Sequence, residues 1–124
     1  MKKKIMVIDD EEGFTALIKT TLEERGNYEV RTENNALLAI PAVREFRPDL
    51  ILLDIMMPGD IDGAEIARRI ENDRSVKNIP MVFLTAVATG EEVESGGGFI
   101  GGHPFIAKPV NIKKLIEYLE KKLS

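Results

Sequence analysis

Short unbroken apolar runs alternate along this chain with longer segments whose apolar residues recur every three to four positions. Residues 4–8, 28–32, 50–55, 81–84 and 105–107 read as strands. The most apolar of them, 50–55, is interrupted only by Asp54. Between the runs lie helical stretches. Phe14, Leu17, Ile18, Thr21 and Leu22 share one helix face, and Gly26 and Asn27 end that helix. Asn34 or Asn35 is placed to cap a second helix reaching about Phe46, with Pro41 expected to kink it or reset its start. A third helix spans 63–70 with Ile66 and Ile70 inward, and Glu91–Glu94 suggests a weak fourth. Asn111 caps the last, whose apolar side carries Ile112, Leu115, Ile116, Leu119 and Leu123. Five strand–helix units in succession predict an α/β fold: a parallel sheet covered by helices on both faces. Strands buried on both sides explain runs that are apolar throughout instead of alternating.

Length and charge narrow the functional classes. The 124 residues suit one domain, 1–124, large enough to bury a real core. A formal net charge of -4 disfavours broad contact with a phosphate backbone, so no direct nucleic-acid binding is expected. The basic residues 2–4 read as a solvated terminus. Without Cys there is no disulfide framework and no thiolate metal site, and no apolar run is long enough for a membrane span. A cytoplasmic protein with no membrane association is expected.

In open α/β sheets, ligands bind beyond the carboxyl ends of the strands. There this chain carries Asp9 and Asp10 after strand one, Asp54 after strand three, Thr85 after strand four and Lys108 after strand five. Thr32 and Glu33 end strand two, away from the others if that strand lies at an edge. Any one of these is an ordinary loop-edge residue; their coincidence at four strand ends is what points to a site. Clustered carboxylates repel unless a cation joins them. Hard oxygen donors with open positions suit Mg²⁺, which neutralises a transferring phosphoryl group. Lys108 supplies a compact positive charge, Thr85 a hydroxyl donor, and a carboxylate can itself be the nucleophile and form an aspartyl-phosphate. Asp54, alone at the end of the central strand, is the best acceptor; Asp9 and Asp10 are better placed to hold metal.

These residues resemble the receiver domains of two-component response regulators over essentially the whole chain. The resemblance is carried by Asp9-Asp10, Asp54-Ile55-Met56-Met57-Pro58, Thr85-Ala86 and Lys108-Pro109. It implies a doubly wound, flavodoxin-like (βα)5 fold with a five-stranded parallel sheet in the order 2-1-3-4-5. It implies that Asp54 accepts a phosphoryl group from a sensor histidine kinase or histidine phosphotransfer protein. Asp10, Asp54 and the Met56 carbonyl would bind Mg²⁺, with Asp9 helping through water. Thr85, Ala86 and Lys108 would contact or make room for the phosphoryl group, and the bond before Pro109 would be cis. Phe105, three residues before Lys108, matches the family's switch aromatic. Met56 and Val87 match positions that flank the path of a hydrolysing water, which predicts slow loss of phosphate because neither can orient that water. The protein would be no conventional enzyme: self-phosphorylation with Mg²⁺ and slow autodephosphorylation are expected. It would act on a downstream protein or effector domain, with phosphorylation-dependent homodimerisation as a further expectation, either as a stand-alone regulator or as one domain of a longer protein.

Two departures from the family's pattern stand out. One extra residue lies between Pro58 and Gly63, in a loop containing Asp60 and Asp62; lengthening is the expected effect, with Asp60 as a further metal ligand the minority reading. Residues 95–102 contain five glycines where a fourth helix should end, so the segment around 88–102 is expected to be the most mobile part of the chain. His103 beside it reads as a surface residue. Three other functions compete. A flavin-binding module would need a phosphate-cradling loop where the chain has Asp9-Asp10-Glu11-Glu12. A small-substrate aspartate phosphatase would need a cap insertion. A degenerate receiver acting only as a scaffold would not need the full acidic set with Thr85 and Lys108.

Overall fold

The structure, a computed structural model, describes residues 2–57, 59, 61–86, 99–100 and 102–123. The strands are β1 (Lys3–Ile8), β2 (Tyr28–Glu33), β3 (Leu50–Asp54), β4 (Met81–Thr85), β5 (Phe99–Ile100) and β6 (His103–Ala107). The helices among these residues are α1 (Glu12–Glu24), α2 (Ala36–Phe46), α3 (Gly63–Glu71) and α4 (Ile112–Leu123). Five strands pair in parallel in the order β2-β1-β3-β4-β6, which is the expected 2-1-3-4-5. The two-residue β5 adds an antiparallel edge to β6, pairing Phe99 with Pro104. The sequence did not suggest this hairpin, because two residues carry no periodicity. The weak helix expected at 91–94, the side chains of Val87, Pro58 and Asp60, and all but residues 99, 100 and 102 of the segment 88–102 expected to be mobile fall outside the described residues.

Successive residues of a strand face opposite sides of the sheet, and each side has its own core. Met6, Ile8, Ile51 and Leu53 pack with α2 and α3 through Ala39, Val43, Ile66 and Ile70. Ile5, Val7, Leu50 and Leu52 pack with α1 and α4 through Ile18, Leu22, Leu115 and Leu119. Each fully buried Leu or Ile is worth about 1.5–3 kcal/mol, so the central strands carry much of the stability.

Three local readings are sharpened or altered. The buried stripe of α1 is Thr15, Ile18 and Leu22, while Leu17 is 55% exposed. Thr15 can turn inward because its hydroxyl donates to the Glu12 carbonyl and accepts from Asn34 Nδ2. Helix α2 continues through Pro41, so the proline does not reset its start; the missing N–H leaves the Leu37 carbonyl without its helical donor, and Asn35 caps the helix at the Leu37 N–H. His103, expected at the surface, is partly exposed and has partners there: its ring meets Phe83 edge-on at 5.7 Å, and Nε2 lies 2.6 Å from Glu71 Oε1.

Helix α3 starts hard against the end of β3. The Gly63 N–H donates to the Ile55 carbonyl at 3.0 Å. A Cβ on Gly63 would collide with the Asp54 carbonyl oxygen and lie 2.7 Å from Ile55 Cα. Both obstacles are backbone, so relief requires α3 and the end of β3 to separate. Gly63→Ala is expected to lower stability by on the order of 3 kcal/mol in urea denaturation; a change below about 0.5 kcal/mol, the scale of surface substitutions, would refute the close packing.

Candidate functional site

The parallel register aligns the strand ends. Ile8 pairs with Leu53, Asp54 with Leu84, and Thr85 with Ala107. Asp9, Asp54, Thr85 and Lys108 therefore come to one rim, and Asp10 follows Asp9 there. Asp9 and Thr85 are fully buried and Asp54 is 4% exposed. Oxygen atoms of Asp9, Asp10 and Asp54 lie within 4.8 Å of one another. Two carboxylates at that separation repel by about 3 kcal/mol at an effective dielectric of about 20.

Asp9 is the best compensated. Its Oδ1 accepts the Glu11 N–H at 2.9 Å, and its Oδ2 accepts from Lys108 Nζ at 2.7 Å. Asp54 accepts the Met56 N–H at 3.1 Å, but the Lys108 ammonium is 3.7 Å from its Oδ2. Burial first, and then the negative charge of Asp9, push the Asp54 carboxyl up to about 6; Lys108 and the Met56 N–H offset only part of this. For Lys108, burial alone would favour the neutral amine, yet contact with Asp9, the charge of Asp54 and Glu11 raise its pKa above the usual lysine value.

The ammonium also sits 4.9 Å from the centroid of the Phe14 ring and 3.4 Å from Glu11 Oε1. The Lys108 N–H donates to the Thr85 carbonyl at 2.9 Å, and the Lys108–Pro109 bond is cis. Met56 is 60% exposed and Ala86 is exposed beside the rim, whereas Phe105 is half-buried against the α2–α3 core.

Sequence reading did not assign a site position to Phe14, Glu11, Asn34 or Gly63. Asn34 Nδ2 donates to the Asp9 carbonyl at 2.8 Å and to Thr15, tying the start of α2 to the turn that carries the acidic pair. The signal was present: of two adjacent asparagines, one suffices as a cap. Phe14 and Lys108 are too far apart in sequence for any local pattern to join them.

The donor set fits a hard divalent cation: three carboxylates converge with no nitrogen or sulfur donor among them, and one charge in the cluster is incompletely compensated. Asp9, Asp10 and Asp54 are the side chains that would hold it.

A family model described as the response regulator receiver domain matches residues 5–120. The nisin biosynthesis regulatory protein of Lactococcus lactis is 42% identical over 121 residues, covering 97% of this chain. This chain spans 50% of that protein's length. The polar-differentiation response regulator DivK of Brucella anthropi is 34% identical over 99% of this chain and 98% of its own. Among solved structures, a Vibrio cholerae chemotaxis protein superposes with a TM-score of 0.81 at 26% identity, covering 98% of both chains. The N-terminal domain of a response regulator receiver protein from Methanoculleus marisnigri gives 0.70 at 36% identity, covering 98% of this chain and 96% of that one.

The raised carboxyl has a stability consequence. Between 3.8 and about 6 the folded state binds more protons at Asp54 than the unfolded chain does, so this contribution worsens as pH rises through that window. Without added cation, Asp54→Asn is expected to exceed the parent in stability at pH 7 by up to about 3 kcal/mol. The gap should narrow as pH falls towards 4.5. Urea denaturation at both pH values checks this, and a gap independent of pH would contradict it.

Proposed function

The chain belongs to the response regulator receiver domains, and we propose that residues 1–124 form one such domain, acting as a phosphorelay switch with Asp54 as acceptor. The carrying observation is the rim itself: a buried central carboxylate flanked by two more and faced by a single ammonium. An Asp54 oxygen attacks the phosphorus of a donor, either a phosphohistidine on a kinase or phosphotransfer protein or acetyl phosphate. An O–P bond forms as the donor's N–P or O–P bond breaks, and the leaving imidazole or acetate departs with the bonding pair. When bound, Mg²⁺ neutralises the carboxylate cluster and the charge on the transferring group. Asp10, Asp54 and the Met56 carbonyl would hold it, with Asp9 helping through water.

The chain's own residues do the rest. Asp54 must be ionised to attack, and its raised pKa makes that state costly until positive charge arrives. Lys108 leaves Asp9 to meet a phosphoryl oxygen, and Thr85 donates its hydroxyl to another. Ala86 leaves the donor room to enter. As Thr85 moves towards the phosphoryl group, Phe105 turns inward behind it, altering the β4–β6 edge read by a downstream protein or effector domain. Phosphorylation-dependent homodimerisation is one form that output takes. Met56 and Val87 shield the phosphoryl group from water and prolong the signal. A cytoplasmic location suits a soluble donor, and no described helix is long and apolar enough to cross a membrane.

Intact mass after incubation with acetyl phosphate and Mg²⁺ is expected to show one phosphoryl adduct, absent without Mg²⁺ and absent in Asp54→Asn. An adduct that persists in Asp54→Asn would overturn the assignment. Asp10→Ala should weaken Mg²⁺ binding by at least about tenfold in an NMR titration, and unchanged affinity would exclude a direct ligand role. Met56→Asn combined with Val87→Glu should speed phosphate loss in Mg²⁺; an unaltered lifetime would remove these side chains from its control.

A further inference from the structure

Helices α2 and α3 lie side by side on one face of the sheet, and between them runs an open groove of about 760 Å³. Its apolar lining comes from both sides: Leu37, Ile40 and Pro41 of α2 face Ile61, just before α3, and Ile66 within it. Leu37 is 70% exposed, an unusual position for a leucine at the lip of an apolar trough. The walls are arginine. Arg44, Arg68, Arg69 and Arg74 line the groove, four of the chain's seven arginines, and no lysine does. Among the described residues, two carboxylates line the groove with them, Glu65 and Asp73. In a chain of net charge -4 this is a concentrated reversal of sign.

The fixed pairs leave cationic capacity over. Asp73 holds Arg44 at 2.6 Å, and Glu65 alone serves both Arg68 at 2.7 Å and Arg69 at 3.2 Å. Arg74 makes no ion pair among the described residues. One shared carboxylate holds the two guanidiniums of α3 in place with their remaining N–H groups open outward. Arginine is weakly hydrated, offers a planar fork to carboxylates and is enriched at interfaces, where lysine is depleted.

We propose that this groove docks a short acidic amphipathic helix of a partner protein. The partner's apolar stripe lies on Leu37, Ile40 and Ile61, and its Asp and Glu side chains reach the arginine walls. The 11 residues of α2 make a groove wall about 16 Å long, which matches about three turns of a docked helix read through i, i+3/i+4 and i+7 anchors. The charge complementarity selects this occupant. Nucleic acid is disfavoured because part of the lining is apolar and two carboxylates stand inside the groove. The proposal is independent of the phosphoacceptor reading, since none of these residues belongs to the rim that carries Asp54.

The test is an NMR titration of the whole labelled chain with a synthetic helical peptide of about 12 residues, carrying leucines at i, i+3 and i+7 and glutamates beside them. Shifts are expected to concentrate on residues 36–44 and 61–74, with affinity falling as salt rises. Arg68→Glu combined with Arg69→Glu should weaken binding about tenfold or more. Arg74→Glu, which breaks no ion pair among the described residues, should weaken it in the same direction while leaving acetyl phosphate labelling unchanged. Shifts centred elsewhere would overturn the proposal. So would equal binding of the same peptide with lysine replacing glutamate, or of oligothymidine. Dilution-dependent shifts at these residues in the protein alone would make the groove a contact between copies of the chain and would overturn it too.

Discussion

The contact between Lys108 and Asp9 organises the rim. Three carboxylates from two strands crowd together with one nearby ammonium. Asp9 tolerates complete burial because that ammonium and the Glu11 N–H both serve it. The same contact ties the end of β1 to the turn after β6, across β3 and β4, and so fixes the rim from both flanks. Asp54 lies between these flanks and receives the smaller share of positive charge. Burial and the charge of Asp9 hold the Asp54 carboxyl high, and the ammonium, lying closer to Asp9, offsets only part of this.

The supports around this contact are ordinary groups used at close range. Phe14 presents its ring to the ammonium, adding attraction without adding a carboxylate. Asn34 holds the Asp9 carbonyl from the β2 side. Gly63 lets α3 begin directly on the backbone of Asp54 and Ile55. Because α3 also forms one wall of the arginine groove, a single glycine contact connects the end of β3 and its acidic rim to a second, oppositely charged surface of the molecule.

The strands, their parallel pairing and the composition of the rim were legible before any coordinates, and the family resemblance implied the order in which the strands lie. Buried parallel strands must be apolar throughout, so polar residues gather at their ends, and Asp9, Asp54, Thr85 and Lys108 stand out there. Helix α3 was equally legible, since Ile66 and Ile70 fall one turn apart. Less legible was which face of α1 turns inward. Leu17 carries more apolar surface than Thr15, yet Thr15 is buried because its hydroxyl finds the Glu12 carbonyl and Asn34. The partners of His103 were no more legible, as Phe83 and Glu71 lie far from it in sequence.

The sequence by itself determined the alternation of elements, and with it the edge at which the polar side chains would collect, because periodicity and burial act over neighbouring residues. The tertiary structure alone decided how charge is shared at that edge. Lys108 is 2.7 Å from Asp9 and 3.7 Å from Asp54, and no spacing along the chain encodes that difference. It alone also brought Arg44 of α2 against Asp73 beyond α3 and made a groove of their neighbours. Coulombic and packing energies depend on distance in space, and residues far apart in sequence acquire that distance only when the helices dock on the sheet.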